Sequence, residues 1–455
     1  MKRKKILLTV VVVFCCLGLL VLPQAMAAKA KLDLSKMSDM SDCDPGNPIV
    51  PTGDVIKIAL VGSYSGPAAA AGEHYFAAAY WAVHDINKRG GIMVDGKMKK
   101  IQIIKANHES KPAVTKKVCE RMVLQEKVHV LMGTNGSNNM KIINQVADKY
   151  KVIAMDFVAL SDELYNAKNF SRYSFMACFS TSQVGRAAAY YLSQKKKEKK
   201  IYVLCQDYLF GHSLAEGFLE GMKEFYPEGK IIGEDYHKLF LTDFGPYLTK
   251  IKASGADAIY IGDWSPDGAN LVKQTRQMGI NIPFVHLFLE DPVFMNDIGV
   301  EASKGLMKVT QYAQTKEALS NPLYIKFLEA WRAQSKKWQK PFDNPFYKWP
   351  IGHDIGAICQ QTYWLLSVIE RAGSTDPEKI IKVWEGDSYE MATGHVAHMR
   401  ACDHKAFQDL YVLETVPPGQ QSYPWFDTCS WDGPVYTIPA EKVMPLLDPK
   451  LKGRK

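Results

Sequence analysis

The sequence predicts an α/β fold of two lobes, each built on a mainly parallel sheet flanked by helices. The chain has 455 residues, more than one hydrophobic core usually holds, so two or three domains are expected. Short apolar runs alternate with longer segments of helical periodicity, which is typical of a parallel sheet covered on both faces. The alternation runs twice, over residues 55–155 and 183–286, and two blocks of similar size indicate two lobes.

The first block predicts four strands and three helices. Its first helix stops at Arg89-Gly90-Gly91, a glycine-type helix end. Its second helix opens after Pro112, which suits a first turn because its missing N–H would have no helical partner. The expected elements are the strand Val55–Val61, the helix Ala69–Lys88, the strand Ile101–Lys105, the helix Ala113–Lys127, the strand Val128–Met132, the helix Asn138–Tyr150 and the strand Val152–Met155.

The second block repeats the pattern and is followed by a mainly helical stretch. The basic run Lys195–Lys200 closes a helix, where the helix dipole favours cations, so we interpret it as a solvated turn. Residues 320–385 are expected to be helical and residues 408–415 to form a strand. The expected elements of the block are the helix Gln183–Lys195, the strand Lys200–Cys205, the helix His212–Phe225, the strand Lys230–Glu234, the helix Asp243–Ala253, the strand Ala258–Gly262, the helix Pro266–Met278 and the strand Pro283–His286.

Composition and charge exclude several classes of protein. Hydrophobic residues make up 47% of the chain and charged residues 23%, which excludes a disordered or collagen-like chain. The formal charge is +8, and four of the basic residues are Lys2, Arg3, Lys4 and Lys5, which leaves +4 for the rest. We therefore expect no nucleic-acid partner.

The N-terminus has the pattern of a secretory signal. The basic start is followed by the apolar run Ile6–Leu22, and small residues at Ala25 and Ala27 predict cleavage after Ala27. An uncleaved anchor is the alternative, because 17 apolar residues could just cross a bilayer. Residues 28–53 are polar and rich in turn residues, and we interpret them as an N-terminal extension of the mature chain.

The cysteines and histidines predict neither a metal site nor a redox centre. Apart from Cys15 and Cys16 in the apolar run, seven cysteines are scattered without a CxxC pair. Cys402 and Cys429 flank a segment rich in Trp and Pro and are the predicted disulfide. The odd count leaves at least one thiol free or bonded outside this chain. The histidines show no metal-ligand spacing, so we expect no metal and no cofactor.

Enzyme signatures are missing, whereas recognition turns recur. The sequence has no Walker loop, no G-x-G-x-x-G after a strand and no HExxH, and the central residue of GSYSG is Tyr64 instead of serine. Four strand-to-helix turns contain glycine or polar residues, and they carry Tyr64, Tyr208, Phe210 and Trp264. Ligands of α/β sheets lie beyond the strand ends, where helix N-termini favour anions. We therefore predict a binding site without catalytic groups; an enzyme would have to use Asp207, Asp263 or the histidines.

An ordered set of motifs resembles a known family. The opening IKIALVGSYSGPAAAAGEHYFAAAYWAVHDINKRGGI, the stretch VLMGTNGSNNMKIINQVADKYKVIAM, and the segments DYLFGHSLAEGF, DFGPYLTKIKASGADAIYIGDWSPDGANLVKQTRQMGI and EASKGLMKV occur in the family's order. They are similar to the exported solute-binding proteins of ABC importers, in particular the leucine/isoleucine/valine-binding family with the type I periplasmic binding protein fold. The resemblance covers residues 55–310.

The resemblance implies a hinged, two-lobed architecture. It implies lobe 1 from residues 54–176 with 310–408, and lobe 2 from residues 177–309 with 409–455. The lobes would be joined by three hinge crossings near residues 175–178, 308–311 and 406–411. It also implies a monomer in the periplasm that binds a small molecule, delivers it to an ABC permease in the inner membrane and leaves it chemically unaltered.

The family's ligand contacts can be carried over to this sequence. The resemblance implies that Ser137 and nearby backbone amides hold a carboxylate, and that Phe210 and Trp264 contact the ligand from the second lobe. Gapless alignment places Phe288 where the family has an acid for an amino group, and a two-residue shift places Glu290 there. The implied ligand-binding residues are Tyr64, Asn135, Ser137, Val158, Ala159, Leu160, Phe210, Trp264, Phe288 and Glu290.

Departures from the family pattern leave the ligand open. Leu160 replaces a threonine, Phe157 a proline and Ala71 a tyrosine, so the groups that hold an α-amino acid are fewer. An amino-acid-like ligand, an aromatic or apolar carboxylate, and a quaternary amine held by cation–π contacts are the alternatives. An exported ligand-sensing module for a membrane receptor is the alternative function.

Overall fold

The computed structural model describes residues 30–264, 266–286, 292–343, 356–416 and 435–454, without the side chains of residues 292–296. The helices are α1 (Ala69–Lys88), α2 (Pro112–Leu124), α3 (Ser137–Tyr150), α4 (Thr181–Lys195), α5 (Leu209–Phe225), α6 (Gly245–Ser254), α7 (Asp267–Gln277), α8 (Pro292–Ser303), α9 (Lys316–Leu319), α10 (Pro322–Ser335), α11 (Ile358–Ala372) and α12 (Pro377–Trp384). The strands are β1 (Ala30–Lys31), β2 (Ile56–Gly62), β3 (Ile92–Val94), β4 (Lys97–Lys99), β5 (Ile101–Asn107), β6 (Val130–Gly133), β7 (Ile153–Asp156), β8 (Ser174–Met176), β9 (Lys200–Gln206), β10 (Lys230–His237), β11 (Ala258–Ile261), β12 (Phe284–His286), β13 (Leu306–Thr310), β14 (Ser388–Glu390), β15 (Val396–Met399), β16 (Ala406–Phe407), β17 (Leu410–Glu414) and β18 (Tyr436–Ile438).

The first lobe is built on a five-stranded parallel sheet in the order β5-β2-β6-β7-β8. Its register places Ile58 of β2 between Ile103 of β5 and Val130 of β6. The chain enters at β2, turns to β5 on one side and then continues through β6, β7 and β8 on the other. The strand order therefore reverses between β2 and β6, which makes this position the topological switch point of the lobe.

The second lobe repeats this arrangement on a seven-stranded sheet in the order β10-β9-β11-β12-β13-β17-β18. The first five strands are parallel, and β17 and β18 add antiparallel to one edge. The chain enters at β9, turns to β10 and then continues through β11, β12 and β13. The switch point of this lobe therefore lies between β9 and β11.

The segment that precedes β2 packs on the first lobe. β1 pairs with β14 in a four-stranded sheet. The Ser38 hydroxyl donates to Asp85 Oδ1 on α1 at 2.7 Å, and Trp338 Nε1 donates to the Cys43 carbonyl at 2.8 Å. On α1 itself, the ring of Trp81 lies 4.6 Å from that of Trp331. The residues that we interpret as an N-terminal extension therefore contribute to the core, which explains why α1 is apolar on several faces.

Three segments cross between the lobes. They connect β8 to α4, β13 to α9, and β16 to β17. Gln311, which follows β13, links all three segments. Its Oε1 accepts from the Phe179 N–H of the first crossing at 2.9 Å, and its carbonyl accepts from Gln408 Nε2 of the third at 2.6 Å. The hinge is thus a hydrogen-bonded unit.

The end of the described chain returns over the hinge. The Leu446 N–H donates to Ser182 Oγ at the start of α4 at 3.0 Å, and the Ala167 N–H of the first lobe donates to Asp448 Oδ2 at 2.9 Å. Arg454 Nε donates to the Cys402 carbonyl at 2.9 Å. Residues 446–454, which the sequence assigns to lobe 2, therefore bond to both lobes.

The predicted fold class of two helix-flanked, mainly parallel sheets with three crossings is confirmed. The bounds of α1 coincide with the predicted helix Ala69–Lys88. α5 begins at Leu209 instead of His212, because Tyr208 is the last residue in extended conformation. The predicted helical stretch 320–385 contains α10, α11 and α12.

Candidate functional site

The candidate site in the first lobe lies at the switch point. Ser63 follows β2 and Asn135 follows β6, and both side chains are buried. Asn135 Nδ2 donates to Ser63 Oγ at 3.0 Å. Next to this pair, His108 Nε2 lies 2.7 Å from Thr134 Oγ1, and burial lowers the pKa of His108 to about 4. The predicted contact Asn135 therefore belongs to a fixed polar network between the two strand ends.

Ser137 starts α3 beside the loop that follows β7. Gly136, with φ of +84°, is the N-cap, a backbone conformation that glycine adopts without strain. The Ser137 hydroxyl donates to the Ala159 carbonyl at 2.6 Å. The structure thus brings the predicted contacts Ser137 and Ala159 together at the N-terminus of α3, a position that favours anions.

The loop after β7 is organised by a buried carboxylate that sequence reasoning missed. Asp156 Oδ1 accepts from the Val158 N–H at 3.1 Å and from the Ala159 N–H at 2.8 Å. Its Oδ2 has no hydrogen-bond partner among the described residues. Burial raises the pKa of Asp156 to about 7, against the opposing effect of the two backbone hydrogen bonds. Leu160, at φ of +63°, completes the turn.

Tyr64 is placed differently from the other predicted contacts of the first lobe. Its hydroxyl donates back to the Leu60 carbonyl at 3.2 Å, so the ring lies along β2. Lys105 Nζ lies 5.0 Å from the ring centroid. The described contacts of Tyr64 are with β2 and β5, and the residue that bonds to Asn135 at the end of β2 is Ser63.

The switch point of the second lobe carries aromatic rings. Tyr208 follows β9 and Trp264 follows β11, and Trp264 Nε1 donates to the Tyr208 hydroxyl at 3.1 Å. The ring centroid of Tyr208 lies 5.8 Å from that of Phe210, and the ring of Phe240 meets Trp264 edge-on at 5.7 Å. The predicted contacts Phe210 and Trp264 are therefore joined through Tyr208, which the sequence indicated only as an aromatic residue of the turn.

A second polar cluster lies beneath these rings. His237 ends β10, Asp263 follows β11 and Asp267 starts α7. His237 Nε2 lies 2.7 Å from Asp263 Oδ1, and Gln206 Nε2 donates to Asp267 Oδ2 at 2.9 Å. Like Asp156, these residues lie where a strand ends or the next helix begins, and that position is the sequence signal that could have identified them.

The two rims approach each other through helices and loops beside the hinge. α3 contacts α5, and the short 3₁₀ helix Asp162–Tyr165 of the first lobe also contacts α5. The Ser182 N–H of α4 donates to Asp162 Oδ2 at 2.6 Å, and Lys405 Nζ donates to Asp162 Oδ1 at 2.8 Å. The start of α4 in the second lobe therefore bonds to the 3₁₀ helix of the first lobe beside the hinge.

Three predicted residues lie outside the described part of the chain: Phe288, Glu290 and Cys429. The predicted acid at Glu290 therefore stays a prediction. Cys402 is described as a partly exposed free thiol, so the structure does not bear out its predicted disulfide with Cys429. Within the described residues, Cys43, Cys119, Cys178, Cys205 and Cys359 are buried free thiols. None of the described helices combines the length and apolar character that a bilayer crossing demands.

Comparison with known proteins defines the class. A family model described as periplasmic binding protein matches residues 55–420. The chain belongs to this family, and its fold is the type I periplasmic binding protein fold, so the resemblance seen in the sequence is confirmed.

Individual relatives agree with this assignment. An "Amino acid binding protein" of Pseudomonas aeruginosa is 30% identical over 252 residues, which cover 54% of this chain and 63% of that protein. The Leu/Ile/Val-binding protein of Escherichia coli K12 is 25% identical over 361 residues, covering 78% of this chain and 89% of that protein. A solute-binding protein of an ABC transporter from Rhodopseudomonas palustris, solved with 3,4-dihydroxybenzoic acid, has the same fold, with a TM-score of 0.70 and 20% identity over 85% of this chain and 98% of that one.

Proposed function

We propose that this protein is the periplasmic solute-binding component of an ABC importer, which captures a small carboxylate between its lobes and delivers it to a permease. The observation that carries the proposal is the equivalence of the two switch points. In one lobe Asn135 bonds to Ser63 across the strand ends, and in the other Trp264 bonds to Tyr208 at the same topological position. Ligands of open α/β sheets bind at such positions.

The first lobe supplies the features that suit an anion. The N-terminus of α3 presents N–H groups beside the Ser137 hydroxyl and the loop fixed by Asp156. A carboxylate held there would be stabilised by the helix dipole and by hydrogen bonds from the backbone. The positive terminus of α3 makes this lobe the carboxylate-binding half of the site.

The second lobe favours an aromatic or apolar body on that carboxylate. Tyr208, Phe210 and Trp264 form a continuous aromatic surface. Three described acids belong to the turns that carry these rings: Asp207 pairs with His212, and Asp263 and Asp267 are buried and bonded to protein groups. The α-amino group of an amino-acid ligand would therefore depend on Glu290 for its ion pair. An aromatic acid needs no such partner, and 3,4-dihydroxybenzoic acid is the ligand of the Rhodopseudomonas palustris structure.

Binding would act by shifting the population of closed molecules. A ligand that contacts both rims stabilises the closed arrangement of the lobes by its differential affinity for that arrangement. The permease would recognise the closed form, and the ligand would leave without a bond being made or broken.

A ligand screen tests the proposed function. Thermal shift and calorimetry of the purified protein against benzoate, 4-hydroxybenzoate, 3,4-dihydroxybenzoate, leucine and choline are expected to show saturable stabilisation by at least one aromatic acid. Mass spectrometry should recover that ligand unchanged after release. Stabilisation by leucine alone would contradict the aromatic class, and conversion of the ligand to a product would contradict the transport function.

The first prediction concerns Trp264. Trp264→Ala should weaken binding of the ligand found in that screen by roughly 1–3 kcal/mol, because it removes an aromatic anchor at the switch point. Calorimetry measures the change. Tyr150→Ala is the matched control, because Tyr150 is a partly buried aromatic residue at the opposite end of α3. Equal affinity of wild type and Trp264→Ala would remove Trp264 from the site.

A further inference from the structure

One histidine and two carboxylates lie close together in the interior of the second lobe. One ligand-type atom from each of His237, Asp263 and Asp267 lies within 4.8 Å of the other two. Each of the three residues is 1% exposed. They come from the end of β10, the turn after β11 and the start of α7, so three separate elements converge on this point.

The histidine is held in the orientation that ligand histidines adopt. His237 Nδ1 lies 3.0 Å from the Lys238 carbonyl. Because a carbonyl only accepts hydrogen bonds, Nδ1 carries a hydrogen. Nε2 shares a second hydrogen with Asp263 Oδ1 at 2.7 Å, and a metal ion bound to Nε2 would displace that hydrogen. Histidines that bind metals typically donate their other ring N–H to a backbone carbonyl in this way.

Several oxygen atoms around the cluster have no partner. Asp263 Oδ2 and Asp267 Oδ1 lack hydrogen bonds in the described structure. The fully buried Gln206 reaches the cluster with its amide, whose Nε2 donates to Asp267 Oδ2 at 2.9 Å, while its Oε1 is also unpartnered. Asp267 Oδ2 also accepts from the Phe240 N–H at 2.8 Å. Buried polar atoms are nearly always bonded, so the two unpartnered carboxylate oxygens of the cluster indicate a missing ligand of positive charge.

The charge balance points the same way. In the described part of the chain, the ion pair of Asp263 is with His237, and no lysine or arginine bridges to Asp263 or Asp267. Two buried carboxylates beside one imidazole are costly, and a dication would neutralise them.

We propose that His237 Nε2 and one oxygen from each of Asp263 and Asp267 bind a divalent transition-metal ion, with Gln206 Oε1 as a further donor. One imidazole with carboxylate oxygens suits Zn²⁺ or Mn²⁺, whereas Ca²⁺ takes six to eight oxygen ligands. Bonds of about 2.1 Å bring two ligand atoms within about 4.2 Å of each other, so small side-chain movements would close the site. The sequence predicts no metal because His237 lies 26 residues before Asp263, and Asp263 and Asp267 alone have no metal-ligand spacing.

The site would act on the aromatic rim above it. Trp264 follows Asp263 directly and lies in the turn that leads to Asp267. A cation bound to both acids would hold the two ends of this turn in place. The metal would therefore raise thermal stability whether or not the protein binds a solute.

Metal titration tests the proposal. The purified protein without an affinity tag is treated with EDTA, dialysed and titrated with Zn²⁺ by calorimetry, and with Co²⁺ by absorption spectroscopy. We expect saturable binding of one ion per chain, a higher melting temperature, and d–d absorption bands from Co²⁺. The proposal would be overturned if the wild-type protein bound no Zn²⁺, or if it gave no d–d bands with Co²⁺. Both measurements use the wild-type protein, so they do not depend on whether a variant folds.

Variants locate the ion. Asp263→Asn and Asp267→Asn keep the shape of each side chain and should each weaken Zn²⁺ binding at least tenfold. Glu385→Gln is the matched control, because Glu385 Oε1 lies 2.9 Å from the buried His404 Nε2 in the first lobe; it should leave Zn²⁺ binding unchanged. Unchanged binding in Asp263→Asn and Asp267→Asn, or loss of binding in Glu385→Gln, would place the ion elsewhere and overturn the proposal.

Discussion

Among individual side chains, the buried carboxylates have the clearest functional positions. Asp156 is fully buried at the end of β7 and accepts hydrogen bonds from the Val158 and Ala159 N–H groups. The Ala159 carbonyl in turn accepts from the Ser137 hydroxyl. Asp156 shapes the loop through its acceptor oxygen, and its charge has no cationic partner among the described ion pairs. Its role is therefore to position backbone, and that role needs the oxygen more than the negative charge.

A pH dependence of stability follows from Asp156. The folded state binds the proton more tightly than the unfolded chain, because burial raises the pKa from 3.8 to about 7. Proton binding by Asp156 therefore stabilises the folded state. This stabilisation is complete below about pH 4 and is lost as the pH rises through about 7, with a decrease in the free energy of unfolding of about 1.4 kcal/mol per pH unit. Asp156→Asn keeps the acceptor oxygen and should remove this loss, so the variant should become more stable than wild type at pH 8 by a few kcal/mol.

Denaturant unfolding at pH 4.5, 6 and 8 measures this effect. Asp42→Asn is the control: burial raises the pKa of Asp42, but bonds to Lys88 and His84 outweigh it and leave the pKa lowered. The stabilisation by Asp42 is present above its unfolded pKa and is lost on acidification. The free energy of unfolding due to Asp42 therefore rises with pH, whereas that due to Asp156 falls. Parallel pH profiles of wild type and Asp156→Asn would contradict the assignment.

Within helices and strands, close backbone contact fixes the rims. Gly72 of α1 packs on the residue that follows β2, and a Cβ at Gly72 would lie 1.9 Å from the Ser63 carbonyl oxygen. Gly211 of α5 packs equivalently on the last residue of β9, where a Cβ would lie 1.9 Å from the Gln206 carbonyl oxygen. In each lobe a helical glycine therefore lets the first helix rest on the strand end at the switch point.

Substitution of Gly211 should disturb both fold and site. Gly211→Ala is expected to lower the free energy of unfolding by about 1–3 kcal/mol, because the added methyl group must displace backbone and overpacks a close contact. Glu216→Ala, at an exposed position of the same helix, should stay within about 0.5 kcal/mol of wild type. Chemical denaturation compares the two variants, and a stable Gly211→Ala would show that α5 can move away from β9 without cost.

Across the two lobes, Gln311 couples the hinge crossings. It accepts from the Phe179 N–H and from Gln408, so a rotation of one lobe changes hydrogen bonds in all three segments. Buried backbone groups need partners, which restricts the hinge to arrangements that keep these bonds. We infer that Gln311 limits how far the ligand-free protein opens.

Replacement of Gln311 tests this inference. Gln311→Met removes the acceptor of a buried N–H and should lower the free energy of unfolding by about 1–3 kcal/mol, and it should increase the radius of gyration of the ligand-free protein in X-ray scattering. Gln334→Met removes a buried bond to the Cys43 carbonyl inside the first lobe and should cost stability without changing the radius of gyration. An unchanged radius in Gln311→Met would show that the hinge opens independently of this residue.

The sequence by itself determined the alternation of strands and helices, the division into two lobes and the family, because apolar periodicity, helix stops and ordered turn motifs are local properties. It also placed Ser137, Phe210 and Trp264 on strand-to-helix turns. Only the tertiary structure showed that Ser63 bonds to Asn135, that Tyr208 joins Phe210 to Trp264, and that His237, Asp263 and Asp267 converge. These groupings depend on which strand ends are neighbours in the sheet, and on burial, which changes the pKa of Asp156; neither property is encoded within a short stretch of chain.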